Sequence, residues 1–393
     1  MTDAALPGPR VVYFTRFRPD PCGGGGSRRA AQAASLLEDW SPSVLSSARL
    51  DGLPPAVAER LRAGFKRPCG TWVSLSGLRG WQAAHRPYAR RQDRVSRQWA
   101  RRLGRDLPAD LLLLDDPLYF PALVRRAQRL GIPAAAVCHN QEGSLAHQVA
   151  PRALPRMARR EFDLFRRCSL AITIAAEDAA CLEREGVRVF YWPYFPAPVI
   201  TARLEAVRRA RGGTVPRDVL LLGSCANAAT RRGILEAARW WAEGPGREGG
   251  DRLRVAGFGS DRHLGDLAGL PGVDLLGPLP DAGLDAQLTT VRAALCHQAG
   301  GGGALTRVVE FLLAGVPVIA SRQAARSWHG TPGVLEYTAL DHVPAVLASL
   351  RASPPVVPVP DPPDPAPLRD ALAGLLRFVC TRRPGAGQGS RET

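Results

Sequence analysis

Short apolar runs rich in β-formers alternate with longer helical patterns along this chain, in two series separated by one break. The first series has strand candidates at Val11–Phe14, Ser43–Leu45, Asp110–Leu114, Pro133–Cys138, Leu170–Ile174 and Arg188–Tyr191. Between them lie helical stretches at Ser27–Asp39, Pro55–Phe65, Tyr88–Leu103, Phe120–Leu130, Arg156–Arg166 and Ala176–Glu185. Such alternation calls for βαβ units and a parallel sheet. Several strands are apolar throughout, as expected when helices cover both sheet faces. The pattern stops at Tyr194–Arg217, which carries three prolines and a basic polar stretch. It restarts with strands at Asp218–Leu222, Arg252–Ala256, Val273–Leu275, Ala293–Cys296 and Val316–Ala320, and helices at Arg232–Trp241, Asp281–Thr289, Leu305–Leu313 and His342–Leu350. The pattern predicts an α/β domain over residues 1–195, a linker over 196–217 and a second α/β domain over 218–352. A Pro-rich segment and a terminal helix, Leu368–Val379, fill 353–381, and 382–393 reads as a disordered tail.

A length of 393 residues suits two or three domains, each able to bury a core. No apolar run approaches the ~20 residues that span a bilayer. Met1–Arg10 lacks the apolar region of a secretory signal. The eight cysteines form no C-x-x-C pair, which argues against a zinc ribbon or a disulfide scaffold and fits reduced thiols in the cytoplasm. The formal charge is +16, nearly all of the cation content being Arg, with Lys66 the only lysine. Arg, Ala, Gly and Pro are all abundant, a bias that a GC-rich genome produces without any partner. The charge still favours anionic partners: phosphorylated substrates, anionic lipid or nucleic acid.

Ligands of open α/β sheets bind at the carboxyl ends of strands, which directs attention to the loops after Phe14, Cys138, Leu222, Ala256 and Cys296. The first loop, Pro21-Cys-Gly-Gly-Gly-Gly-Ser27-Arg28, lets a ligand approach the backbone at Gly24 and Gly25, with Ser27 a plausible helix cap. It is neither a Rossmann fingerprint nor a Walker A loop; a flexible surface loop is the plain alternative. The second is Cys138-His139-Asn140-Gln141-Glu142, where His139 can donate to a sugar hydroxyl or serve only the fold. His139, Glu142 and His147 match no metal-site spacing. The third, Gly223-Ser224-Cys-Ala-Asn227, precedes Arg231 and Arg232 at a helix start, where the helix dipole disfavours cations unless an anion binds. The richest is Gly300-Gly-Gly-Gly303-Ala-Leu-Thr306-Arg307-Val-Val-Glu310, running on to Gly315-Val-Pro317. Its glycines expose N–H groups at a helix start, an anion cradle. Thr306, Arg307 and Glu310 are the polar members of an otherwise apolar helix, so Glu310 needs a partner: a ribose diol, or Arg307 three residues away. Asp115-Asp116 lacks the D-x-D spacing of metal-dependent sugar transferases, and no G-x-S-x-G elbow is present.

Over residues 10–350 the chain resembles the GT-B glycosyltransferases of the "group 1" class, family 4 in particular. The resemblance rests on the two-sheet layout, the glycine loop after the first strand, His139-Asn140-x-Glu142, Gly223-Ser224-x-x-Asn227 and Ala256-Gly257-x-Gly259. Most specific is Gly303…Arg307-x-x-Glu310-x-x-x-Ala314-Gly315-x-Pro317-Val318. The resemblance implies two Rossmann-like doubly wound parallel-sheet domains facing each other across a cleft. It also implies retaining, metal-independent transfer from a nucleotide-sugar, which acts as co-substrate with no cofactor. The C-terminal domain would hold the nucleotide and the N-terminal domain a glycan, lipid-linked or secondary-metabolite acceptor. Glu310 would take the ribose, Arg307 the phosphates, Gly302 and Gly303 the sugar or diphosphate through their N–H groups, and Arg231 or Arg232 the diphosphate. His139 would stand near the reacting carbon. The pattern departs at Gly302, where many members carry a glutamate; a catalytically inactive homologue acting as a binding protein is the alternative.

Arg86, Arg90, Arg94, Arg97, Arg101 and Arg105 recur at three- and four-residue steps, near one face of a helix. A solvated face is the plain reading. Docking to an anionic membrane at the inner face, as many GT-B enzymes of lipid-linked glycans do, is the functional one. Nucleic acid lacks any accompanying motif. Trp72 and Trp81 precede this helix and can line an acceptor groove or simply pack.

Overall fold

The computed structural model describes residues 9–46, 94–141, 154–245 and 250–380, except 16, 95, 106, 214, 226 and 299. Glu142, His147, Trp72, Trp81, Arg86, Arg90, the helix expected at Pro55–Phe65 and the tail 382–393 lie outside the described residues.

The first sheet contains β1 (Val11–Thr15), β2 (Ser43–Ser46), β3 (Leu111–Asp115), β4 (Ala134–Cys138), β5 (Leu170–Thr173) and β6 (Val189–Tyr191), in the order β2-β1-β3-β4-β5-β6. The second contains β7 (Arg217–Leu222), β8 (Leu253–Ala256), β9 (Val273–Gly277), β10 (Val291–Cys296), β11 (Val318–Ser321) and β12 (Val334–Tyr337), in the order β12-β11-β10-β7-β8-β9. Every pairing is parallel. The second order is the doubly wound one of dinucleotide-binding domains, and the first shares its reversal of strand order. The reversals fall between β1 and β3 and between β7 and β10, so the loops after those four strands frame the crevices where such sheets bind ligands. β1, β3, β4 and β5 are buried at every position, which explains why they are apolar up to their last residues, Thr15, Asp115 and Thr173 being buried polar ends. β12 has no counterpart in the sequence pattern; as a half-buried edge strand it needs no apolar run.

The longer helices are α1 (Gly25–Leu36), α2 (Pro121–Leu130), α3 (Leu154–Arg166), α4 (Ala176–Arg184), α5 (Pro198–Arg211), α6 (Ala228–Glu243), α7 (Asp281–Thr290), α8 (Thr306–Leu313), α9 (Val343–Ala352) and α10 (Ala366–Cys380). Three depart from expectation. α1 starts at Gly25 with Gly24 as its N-cap, so Ser27 lies inside the helix and does not cap it. The expected linker 196–217 is mostly α5, whose Ile200, Leu204 and Val207 join the core of the second domain. Arg208 on α5 donates to the carbonyls of Leu313 (2.8 Å), Val357 (2.6 Å) and Leu312, satisfying the open end of α8. The last helix, α10, returns to the first domain. Its Leu368, Leu372, Leu375 and Leu376 pack with Val11, Tyr13, Leu36 and Leu111 on one face of the first sheet. Among the described residues no helix is long and apolar enough to cross a membrane.

Candidate active site

Glu310 lies on α8, and its carboxylate is held from the opposite domain. Arg28 of α1 pairs with Glu310 Oε1, and the Tyr194 hydroxyl donates to the same oxygen at 3.1 Å. Arg28 Nε also donates to the Gly23 carbonyl at 2.7 Å, which fixes the guanidinium over the glycine loop. The partner of Glu310 is therefore Arg28, not Arg307. Both contacts fall on one oxygen, and Oε2 has no hydrogen bond among the described residues. Burial opposes the charge on Arg28, but the Glu310 carboxylate outweighs it and raises the guanidinium pKa. Burial and then Glu310 push the Tyr194 hydroxyl upward as well, so it donates rather than ionises.

Arg307 points to the neighbouring crevice. A Cβ added at Gly223 would lie 2.4 Å from Thr230 Cγ2 and 3.2 Å from Arg307 Nη1, so the glycine leaves room for both side chains at the end of β7. Among the described residues Arg307 forms no ion pair, and its buried Nε has no hydrogen-bond partner. The Arg307 charge also acts on the Cys296 thiol at the end of β10, though burial dominates there and raises that thiol's pKa. A cation left in this state at a strand-order reversal is suited to an anion.

The glycine loop is pinned against the first domain. A Cβ at Gly303 would stand 2.5 Å from the His139 carbonyl oxygen, and Gly303 has φ +69°, so two constraints require glycine there. A Cβ at Gly302 would lie 3.2 Å from Asn140 Cβ. The Gly303 N–H donates to Asp178 on α4 at 3.1 Å, and Arg326 holds the other oxygen of Asp178 at 2.7 Å. Burial raises the Asp178 pKa despite the opposing pull of Arg326 and the Gly303 N–H. Next to it, Glu177 accepts from Ser327 N–H (2.8 Å) and Oγ (2.6 Å), while Ser327 Oγ accepts from the Ala176 N–H at 2.9 Å. Ser327 adopts φ +64° for this exchange, a conformation costly for a non-glycine residue. One expectation is corrected here: Gly303 does not offer a free N–H to a ligand in this arrangement, because Asp178 occupies it.

His139 sits at the end of β4 and is buried. Its Nε2 is 3.3 Å from Asp115 Oδ1, within ion-pair reach but without hydrogen-bond alignment. Its ring meets Phe17 edge-on at 5.4 Å, and its N–H donates to Asp116 Oδ1 at 3.1 Å. Asp115 also accepts from Tyr13 (2.7 Å) and Thr15. Burial works against its charge, but the His139 ring and the two hydroxyls outweigh it and hold the carboxyl below the ordinary value.

The remaining candidates divide. Gly25 faces Thr306, with 3.5 Å between a Cβ built there and the threonine hydroxyl, so these two meet across the cleft. Gly24 has open space around it. Asn227 caps α6, its side-chain carbonyl accepting from the Thr230 N–H at 3.0 Å, so that oxygen is already used. Arg231 turns toward the Cys225 carbonyl (3.4 Å), whereas Arg232 is exposed. Tyr194, Asp178 and Arg326 were not singled out from sequence. Arg28 carried a usable signal: a cation in the first turn of a helix, where the dipole disfavours it.

No family model matches the chain, and no curated protein sequence matches it. Solved structures do. The α,α-trehalose 6-phosphate synthase of Burkholderia multivorans is 15% identical, covers 97% of this chain and 100% of its own, and superposes with a TM-score of 0.58. HepE of Anabaena, solved with UDP and glucose, is 12% identical over 95% of this chain and 98% of its own, with a TM-score of 0.57. The sucrose-phosphate synthase of Thermosynechococcus elongatus is 13% identical over 95% and 94%, with a TM-score of 0.52. Likeness at these identities concerns architecture, and together with two parallel sheets that meet at their strand-order reversals it shows that this chain has the GT-B fold.

Proposed function

We propose that this chain is a glycosyltransferase that moves a sugar from a nucleotide-sugar to a glycan, lipid-linked or secondary-metabolite acceptor, with retention and without metal. The observation that carries the reading is on one turn of α8: an arginine with no ion pair among the described residues and a glutamate that they anchor through a single oxygen. Glu310 Oε2 accepts the vicinal hydroxyls of the ribose. Arg307, with Arg231 and the Gly302 N–H, receives the diphosphate and stabilises the charge that develops as the sugar departs. His139, steadied by Asp115, approaches the donor sugar from the first domain. A nucleotide-sugar at this site is also consistent with HepE, whose structure holds UDP and glucose.

The test is a thermal-shift series with UDP, GDP, ADP, CMP and dTDP and their sugar conjugates. A ligand at ~100 times its Kd adds about 2.7 kcal/mol of stability. One base is expected to raise the melting temperature in the native protein and to lose that effect in Glu310→Ala. Equal shifts in both proteins would refute the assignment of Glu310.

The Asp178–Gly303 hydrogen bond favours a second reading, in which the cradle is closed permanently and the protein is a non-catalytic homologue. Under that reading no nucleotide-sugar is hydrolysed even slowly. Hydrolysis abolished by His139→Ala would exclude it.

A further inference from the structure

The basic helix does not present a flat charged face. Residues 96–102 are helical and pack beside α2, and an open recess of about 490 Å³ lies between the two helices. Arg97, Arg101 and Arg105 line it from one side and Arg125, Arg126 and Arg129 from the other, with Ala100 and Ala122 between them. Among the described residues no acidic side chain lines it. Among the described residues Arg101, Arg105, Arg125, Arg126 and Arg129 have no ion pair. Arg126 Nε reaches only the Leu103 carbonyl at 3.4 Å, and Arg129 Nε only the Arg125 carbonyl at 3.4 Å.

The placement is self-destabilising without a counter-charge. Arg125 and Arg129 follow one another one turn apart on α2, where like charges repel, and Arg101 and Arg105 stand on the neighbouring segment. The fold then sets the two rows facing each other. Arg97, Arg101, Arg105, Arg125 and Arg129 are exposed and Arg126 is half-buried, yet all six border one open recess, of a size that small-molecule pockets have. The geometry points to a binding site for a compact anion with two or more phosphates. A single phosphate would neutralise only part of the five guanidiniums that have no ion pair among the described residues, and linked phosphates offer both the charge and the paired oxygens that guanidinium forks match. None of the residues placed in the Glu310–Arg307 cleft lines this recess, so it is a second anion site.

The probes are tripolyphosphate, followed by titration calorimetry, and phosphatidylcholine vesicles with and without cardiolipin, followed by co-sedimentation. Both are applied to the native protein, Arg307→Ala, the double variant R101E/R125E, its neutral counterpart R101Q/R125Q, and the charge-matched control R184E/R239E. Circular dichroism checks that each is folded. The native protein is expected to bind tripolyphosphate. Arg307→Ala removes only the binding event that belongs to the Glu310 cleft; the event at the recess persists in it and in the control, while R101E/R125E and R101Q/R125Q weaken the recess event at least about tenfold, the loss of one charge-assisted hydrogen bond or more. Tripolyphosphate binding without vesicle binding assigns a soluble ligand. Vesicle binding that requires cardiolipin, whose headgroup carries two phosphates, and is displaced by tripolyphosphate assigns a lipid headgroup. Absence of both, equal weakening by the control, or binding of duplex DNA that tripolyphosphate does not displace would overturn the site.

Discussion

Replacing Arg28 by alanine removes the charge that ties α1 to Glu310 across the domain boundary. Two opposite unit charges at about 4 Å attract by about 4 kcal/mol at an effective dielectric of 20. The side chains are only 18% and 15% exposed, so water screens the pair weakly. Removing one member of a fully buried pair costs about 3–5 kcal/mol. Here the Tyr194 hydroxyl remains on Glu310 at 3.1 Å, so the carboxylate is not abandoned. The expected loss is about 2 kcal/mol, the scale of one hydrogen bond to a charged group. With roughly 2 cal/mol/K of unfolding entropy per residue, that lowers the melting temperature by about 2–5 °C, the smaller figure if both domains melt as one unit. The assay is scanning calorimetry of Arg28→Ala, Glu310→Gln and the double variant. Arg28→Ala also releases the Gly23 carbonyl, but both Arg28 variants share that loss and the cycle removes it. The double variant is expected to fall short of the summed singles by about 1–2 kcal/mol. Additivity within about 0.3–0.5 kcal/mol would refute the reasoning.

The glycine loop yields a graded pair of substitutions. Gly303→Ala meets both a positive φ and the His139 carbonyl, and should lower stability by about 2–3 kcal/mol, whereas Gly302→Ala needs only a small shift of Asn140 and should cost less than about 1 kcal/mol; melting curves rank them. Asp115 has a folded pKa below its unfolded value of about 3.9, so its contribution is full above that pH and is lost as pH falls through the depressed folded value. Melting temperature against pH should therefore show an acid limb that flattens in Asp115→Asn, and an unchanged limb would exclude Asp115 as its source. Leu372→Ala empties a fully buried position between α10 and the first sheet and should cost about 2–5 kcal/mol in urea unfolding; a loss below about 1 kcal/mol would mean that α10 is not docked there.

The strands were legible because burial on both faces leaves no room for polar residues, as at Leu111–Leu114. The crevices were legible in part: the loops after Phe14, Leu222 and Cys296 were expected and do flank the reversals, whereas the loop after β3 was not, because alternation shows that the strands are parallel but not their order in the sheet. The ties across the cleft were not. Arg28 and Glu310 are 282 positions apart, and Asp178 and Arg326 are 148 apart, so no periodicity connects them. Tyr194 was hidden in a stretch whose prolines signalled a linker. Asp178 resembled an ordinary acid in the first turn of a helix, where the dipole alone would justify it. Asp115 was noticed only for failing a metal motif. Its better signal was a carboxylate ending a strand of leucines, which must find donors wherever the chain brings them.

The return of α10 to the first sheet has a consequence for biosynthesis. Arg369 donates to the Leu36 carbonyl across 333 positions of chain, and the leucines around it cover β1 and β3. At about 5–20 residues per second, a ribosome takes roughly 15–70 s to add that length. During that interval the apolar strands near the N-terminus are synthesised and lack their last cover, while the second domain, contiguous in sequence, can fold completely. Nascent chains should therefore acquire protease resistance in the later-made half first. The earlier-made half should depend on chaperones until translation ends, and a stop codon before Ala366 should leave it aggregation-prone although every residue of its sheet is present.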